Sequence, residues 1–133
     1  ILEKYMDKEP LMELESVMNL EELAVAKEEA GKVFVHECVR EYMVDIVEAT
    51  RKGAQVVMGV SPRGNLALLR CAKAYAYLEG RDYVTPDDVK AVACDVISHR
   101  IILNGFFTDK TTENRNITEK LISQVPVPSE RIF

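Results

Sequence analysis

The sequence predicts an all-α protein, a compact bundle of about five helices that can include one short extended segment. Three observations predict this class. Apolar residues recur at helical spacing along much of the chain, and residues typical of helix starts and stops separate these stretches. The chain has 133 residues, of which 47% are hydrophobic and 29% charged, a balance that suits one globular domain.

The first predicted helix follows residues 1–18, which are interpreted as a truncated helix end and a connector. Asn19 can cap this helix, and Glu22 stands three residues later, as in a capping box. The helix is expected to run to about Glu29 and to stop near Gly31. Residues 19–125 are assigned to one helical domain.

The second helix has the clearest apolar face and is expected to end at Gly53. Residues 54–60, which are short and apolar, suit either an extended connector or a short edge strand. The apolar face of the helix comprises Val39, Tyr42, Met43, Ile46, Val47 and Thr50.

The third helix begins with Ser61 as its cap and Pro62 in the first turn, where proline is tolerated. Between residues 66 and 78 its only charged side chains are Arg70 and Lys73. A helix this apolar is typically central, so we expect the other helices to surround it.

Gly80 ends the third helix, and Thr85 caps the fourth, with Pro86 at its first position. Asp88 completes a pattern like a capping box, and the helix is expected to end near Arg100. Its predicted buried stripe is Val89, Val92, Ala93, Val96 and Ile97.

A fifth helix is predicted from Glu113 to Gln124, after a linker over residues 104–111. Pro126 lies just beyond it, and residues 126–133 are interpreted as a loose tail. The side chains expected to point inward are Ile117, Leu121 and Ile122.

The net charge of −5 is unevenly distributed. Residues 1–48 carry −8 and residues 49–133 carry +3, so a phosphate-bearing ligand is expected in the second half. The bases are scattered without interleaved aromatics, which argues against nucleic-acid binding. Three widely spaced cysteines favour neither disulfides nor zinc and suit a reducing cytoplasm. The sequence shows no signal peptide and no apolar run long enough to span a membrane.

No catalytic constellation is apparent. Gly31-Lys32 lacks the upstream glycine and the following hydroxyl residue of a phosphate-binding loop. Ser61 lacks the second glycine of a nucleophile elbow and is followed by proline, so a helix cap is the better interpretation. His36 and Cys38 are too few for a metal site, and His36 is expected at the start of the second helix.

Arg63 lies in the first turn of the third helix, where a cation is unfavourable by roughly 0.3–1 kcal/mol. Two interpretations remain open from the residues. Arg63 is solvated or paired with an acid, or its guanidinium and the amides of the helix start both face a phosphate. Gly59 would let the chain approach such a ligand closely.

Residues 59–104 resemble the lid of MoxR-type AAA+ ATPases, the methanol dehydrogenase regulatory protein-like group. The segments 42–51 and 121–128 resemble the flanks of that lid, so the resemblance covers nearly the whole chain. The distinctive motifs are S-P-R at 61–63, G-R-D-Y-V-T-P-D-D-V at 80–89 and H-R-I-I-L at 99–103.

The resemblance implies a helical lid over ATP bound by a missing α/β domain, with Arg63 as the second sensor (sensor 2) that touches the terminal phosphate. Gly59, Ser61, Pro62 and Gly64 would form the supporting helix start near the nucleotide. Gly64 departs from the alanine expected there. ATP and Mg²⁺ would belong to the full-length protein, and the piece alone would bind neither and would not be catalytic.

The resemblance also implies partners. These are the α/β domain of the same chain, neighbouring subunits of an oligomeric ring, and a protein with a von Willebrand A domain or another client. The family is chaperone-like and serves protein maturation or metal-cofactor insertion. Because the chain begins with Ile1, it is interpreted as an excised domain. The alternative is a standalone helical adaptor that binds protein or DNA without nucleotide.

Overall fold

A computed structural model describes residues 13–128; most of the predicted N-terminal connector and the last five residues of the predicted tail lie outside this range. The described part is a bundle of five α-helices with one two-stranded sheet, which confirms the predicted fold class. The elements are α1 Leu20–Lys32, α2 Glu37–Lys52, β1 Val56–Met58, α3 Pro62–Leu78, α4 Pro86–Ile97, β2 Ile102–Leu103 and α5 Lys110–Gln124.

Helix α1 begins as predicted but ends later. Asn19 and Glu22 form the capping box, each side chain accepting a hydrogen bond of 2.8 Å from the other residue's backbone N–H. The helix ends at Lys32, one residue beyond the predicted stop near Gly31, but Gly31 itself does not end it through a left-handed turn, because positive backbone φ angles within residues 13–128 occur only at Gly80 and Gly105. Gly31 therefore continues the helix to Lys32.

Helix α2 buries all six side chains of its predicted face. Of the two alternatives for residues 54–60, the strand is correct. Strand β1 pairs antiparallel with β2, and an irregularity lies between Val56 and Met58. Strand β2 was not predicted, since two residues are too few to show a period.

The α-helical part of α4 ends at Ile97, and the helical path continues to Arg100, close to the predicted end. A single turn of 3-10 helix, Ser98–Arg100, leads from α4 towards β2. Within the predicted stripe of α4, Val89, Ala93 and Ile97 are buried, whereas Val92 and Val96 are half-buried against the core.

Helix α3 is not surrounded on all sides, contrary to expectation. It packs most extensively on α4, with α1 and α2 also in contact, and it buries a single stripe. Leu66 is 55% exposed and Leu78 is 81% exposed. The buried stripe has a spacing of four and mostly small side chains, which lets α4 approach closely; it comprises Gly64, Leu68, Ala72 and Ala76.

Helix α5 begins at Lys110, three residues before the predicted start, because Asp109 caps it. The Asp109 carboxylate accepts hydrogen bonds from the backbone N–H groups of Thr111 and Thr112, at 3.0 and 3.2 Å. Of the predicted inward residues of α5, Ile117 and Ile122 are buried and Leu121 is half-buried. Thr118 is also fully buried, which the sequence did not indicate.

Candidate functional site

The first turn of α3 places the predicted site residues on one end of the bundle. Ser61 caps the helix by accepting a 3.4 Å hydrogen bond from the N–H of Gly64, and Pro62 is the first helical residue. Arg63 follows at the second position and is exposed. Within residues 13–128 the side chain of Arg63 makes no hydrogen bond and no ion pair, so the acid-paired interpretation finds no partner there.

Val60, the residue before the cap, is fixed by the C-terminal end of α2. Its N–H donates a 3.0 Å hydrogen bond to Thr50 Oγ1, and its carbonyl accepts a 3.0 Å hydrogen bond from Arg51 Nε. The Thr50 hydroxyl in turn donates to the carbonyl of Val47 at 2.6 Å. Val60 and Thr50 are both completely buried.

Gly59 and Gly64 lie where the backbone is crowded. A Cβ on Gly59 would lie 2.6 Å from Arg51 Cγ and 2.8 Å from the Cα and N of Arg51, so the contact with α2 itself requires glycine. A Cβ on Gly64 would overlap Val60 Cγ1 and lie 3.3 Å from Arg100 Cδ. The position of Val60 therefore explains why glycine stands at 64. The expected roles of both glycines next to a ligand stay predictions.

Three arginines lie in or against the segment of residues 59–64 and give it positive charge. Arg51 is bonded to Val60, Arg63 lies within the segment, and the stem of Arg100 lies against the first turn of α3. Arg100 Nε donates to the carbonyl of Val96 at 2.9 Å. In the described chain none of the three forms an ion pair with a carboxylate. The positive end of the α3 dipole adds to this charge, so the surface favours an anion.

Arg63 lies exposed on the surface of the bundle. A cleft of about 400 Å³ lies between the C-terminal ends of α2 and α5, but Arg63 does not line it. Its lining includes Lys52, Gln55, Lys120 and Gln124. A ligand at Arg63 would therefore need a second surface from another domain or subunit to be enclosed.

The other residues considered in the sequence take structural roles. His36 caps α2, and its Nδ1 accepts a 3.4 Å hydrogen bond from the N–H of Cys38, as its predicted position at the helix start requires. Over residues 13–128 no three His, Cys, Asp or Glu side chains come together in a way that could hold a metal ion. Among the helices of this range, none has the length and apolar character to cross a membrane.

Two groups of functional interest were not recognised in the sequence. Thr50 was assigned to the apolar stripe of α2, and Arg51 was interpreted only as a helix-end charge. The signal that could have identified Thr50 was its hydroxyl at the end of a mostly apolar stripe, because a buried hydroxyl needs a hydrogen-bond partner. The other group is the ion pair between Arg81 and the buried Asp88, with contacts of 2.5 and 2.6 Å.

Comparison with known proteins matches residues 48–120 to the AAA lid domain family. Over 122 residues the chain is 37% identical to the Bacillus subtilis protein YeaC, covering 92% of this chain and 38% of YeaC. It is 42% identical to protein MoxR of Paracoccus denitrificans over 105 residues, covering 68% of this chain and 31% of that protein. It is 38% identical to chaperone MoxR1 of Mycobacterium tuberculosis over 96 residues, covering 65% of this chain and 26% of that protein.

A solved structure from Cytophaga hutchinsonii, provisionally described as an ATPase, is also similar. The two share 33% sequence identity with a TM-score of 0.66, over 77% of this chain and 34% of that one. The chain spans less than two fifths of the length of these relatives.

Proposed function

Because the chain belongs to the AAA lid domain family and is the lid of a MoxR-type AAA+ ATPase, we propose that it closes over ATP bound by an α/β domain of a longer protein. In this proposal Arg63 contacts the terminal phosphate. The segment at the start of α3 would support that contact. It includes Gly59, Ser61, Pro62 and Gly64.

The observation that supports it best is the state of Arg63. This arginine is exposed at the positive end of a 17-residue helix and has no partner in the part of the chain that the structure describes. A cation in the first helical turn is unfavourable by about 0.3–1 kcal/mol unless an anion is close. A terminal phosphate would supply that anion and would match the planar fork of donors on the guanidinium.

The chemistry of hydrolysis would belong to the α/β domain, together with Mg²⁺. Arg63 would add positive charge where negative charge develops on the transferring phosphoryl group, which stabilises the transition state. Loss of the terminal phosphate would remove the contact and change the angle of the lid. Lid movement would then be coupled to hydrolysis.

The wider setting forms part of the proposal. The name of the Mycobacterium tuberculosis relative, chaperone MoxR1, supports a chaperone-like role. We propose that the longer protein works in the cytoplasm as an oligomeric ring, with a von Willebrand A domain protein or another client as its partner. Its task would be protein maturation or metal-cofactor insertion. Regulation of methanol dehydrogenase would be one example of such a task.

The test is ATP turnover and ATP affinity of the full-length protein with Arg63→Ala. We expect a loss of about 10- to 100-fold in turnover, the range for losing a hydrogen bond to a charged group. Arg70→Ala is the matched control, because Arg70 is an exposed arginine on the same helix without a partner within residues 13–128. Unchanged turnover and affinity for Arg63→Ala would contradict the proposed contact between Arg63 and the terminal phosphate.

A further inference from the structure

The chain enters α3 through a residue whose two backbone polar groups are both held by α2. Val60 lies between the end of β1 at Met58 and the start of α3, so neither a strand nor a helix supplies its hydrogen bonds. It is completely buried, and water cannot supply them either. Thr50 accepts from its N–H and Arg51 donates to its carbonyl, both at 3.0 Å. We call Thr50 and Arg51 the α2 clamp.

The clamp also fixes the position of its own groups. The Thr50 hydroxyl donates to the carbonyl of Val47 one turn earlier, so its oxygen lone pair is directed at the Val60 N–H. The stem of Arg51 lies against Gly59, where even a Cβ would have no room. Both side chains are thus held in one arrangement and act on one residue.

Little freedom remains between the clamp and Arg63. Only Ser61 separates Val60 from the helix, and its side chain is committed to the cap. Pro62 restricts the next φ angle, and the Val60 side chain lies against Gly64 in the first turn. Any displacement of Val60 must therefore be carried into the first turn of α3, and with it into the backbone of Arg63.

We propose that Thr50 and Arg51 are positioning residues for Arg63, a role that rests on the function proposed above. The α2 clamp fixes the first turn of α3 against α2, so that the guanidinium reaches the phosphate without further ordering. Losing one hydrogen bond of the clamp lets this turn shift. Misplacement by about 1 Å can cost up to about 100-fold in rate, even when the changed residue is far from the chemistry.

Thr50→Val removes the hydroxyl while keeping the shape of the side chain. Thr118→Val is the matched control, since Thr118 is also fully buried and its hydroxyl also donates to a helix carbonyl, that of Asn114 at 2.7 Å. Thr118 lies on α5 and does not bond Val60. Thr50→Ser retains the hydroxyl and should restore the behaviour of the unchanged protein.

Hydrogen exchange of the 133-residue chain tests the structural half of the proposal. In Thr50→Val the Val60 amide should exchange about tenfold faster or more, since it loses its acceptor. Thr118→Val should leave that amide unchanged. If Thr50→Val does not fold, Arg51→Met serves instead, because it keeps most of the stem against Gly59 and loses the donor to the Val60 carbonyl. The amides in the first turn of α3 should then exchange faster, and Arg40→Met on the exposed side of α2 is the control that should leave them unchanged.

ATP turnover of the full-length protein tests the functional half, using a double-mutant cycle with Arg63→Ala. We expect Thr50→Val to lower kcat about three- to 100-fold, with ATP affinity changed less, and to have no further effect once Arg63 is alanine. An equal loss in both backgrounds would overturn the clamp and leave the sensor role of Arg63 intact. If Arg63→Ala alone had no effect, the proposed function and the clamp role would both fail.

Discussion

At the level of single residues, the G-R-D-Y-V-T-P-D-D-V motif contains an ion pair between its Arg81 and its second-last residue, Asp88. The side chain of Asp88 is 4% exposed and forms a two-contact ion pair with Arg81. Burial alone would raise the pKa of Asp88, but hydrogen bonds from Arg81 and Thr85 outweigh it and hold the pKa below its ordinary value. The pair therefore stabilises the turn between α3 and α4 only while Asp88 is ionised.

The pH dependence of stability follows from this lowered pKa. A carboxyl whose pKa is lower in the folded state contributes stability above its unfolded value, near 4, and loses it as pH falls through the folded value. Asp88→Asn should lower the free energy of unfolding by about 2–4 kcal/mol at pH 7, because Arg81 loses its partner. The difference between the two proteins should narrow as the pH is lowered below about 4.

Urea denaturation at several pH values measures this difference. Asp87→Asn is the control, since Asp87 lies in the same helical turn but its side chain is 90% exposed. It should change the free energy of unfolding by no more than about 0.5 kcal/mol. A gap between Asp88→Asn and the unchanged protein that stays constant down to pH 2 would show that ionisation of Asp88 is not its source.

At the scale of elements, the sequence predicted most accurately what depends on neighbouring residues. The starts of α1, α3 and α4 follow from caps at Asn19, Ser61 and Thr85, whose hydrogen bonds lie within three residues. Strand β2 and the exposed side of α3 depend on partners distant in sequence, which no local pattern encodes. Leu66, for example, belongs to an apolar run yet is 55% exposed.

The candidate site also has one part that the sequence predicted and one part that it did not. The sequence identified Arg63 through its unfavourable place in the first turn, which is a local argument. It could not identify the α2 clamp, because Thr50 and Val60 are ten residues apart and meet only after α2 and α3 have packed. Gly64 was noted as a departure from the family, but its cause, the side chain of Val60, is visible only in three dimensions.

Two glycines within helices should respond to alanine in opposite directions. At Gly31, near the end of α1, an added Cβ meets no atom within 4 Å, so Gly31→Ala should raise the free energy of unfolding by about 0.5–1 kcal/mol. At Gly64 the Cβ would overlap the buried Val60, so Gly64→Ala should lower it by about 1–2 kcal/mol despite the better helix propensity.

Chemical denaturation of both variants checks the sign of each change. A third protein, Gly64→Ala with Val60→Ala, isolates the cause. If the overlap with Val60 is responsible, the double variant should be more stable than the sum of the two single losses implies. Strict additivity, or a gain in stability for Gly64→Ala alone, would show that the first turn of α3 accommodates the methyl group without displacing Val60.

At the scale of the whole molecule, the described chain consists of a well-packed body and a helix that adds little to it. Helices α2, α3 and α4 supply most of the core, whereas no residue of α1 is buried. Two polar contacts hold the C-terminal end of α1, one from Lys73 Nζ to the carbonyl of Gly31 and one of 2.6 Å from the Tyr77 hydroxyl to Glu29. Leu20 is 81% exposed and Val25 is 55% exposed.

Native-state hydrogen exchange should therefore separate α1 from the body. Amides in the first two turns of α1 should open locally at a free energy well below that of global unfolding, because opening them exposes almost no new apolar surface. Amides of α2 and α4 should require global unfolding. Tyr77→Phe should lower protection of α1 alone, because it removes the bond to Glu29 and leaves the core unchanged. Equal protection of α1 and α2 would instead mean that α1 unfolds only with the body, and that its stability does not follow from burial.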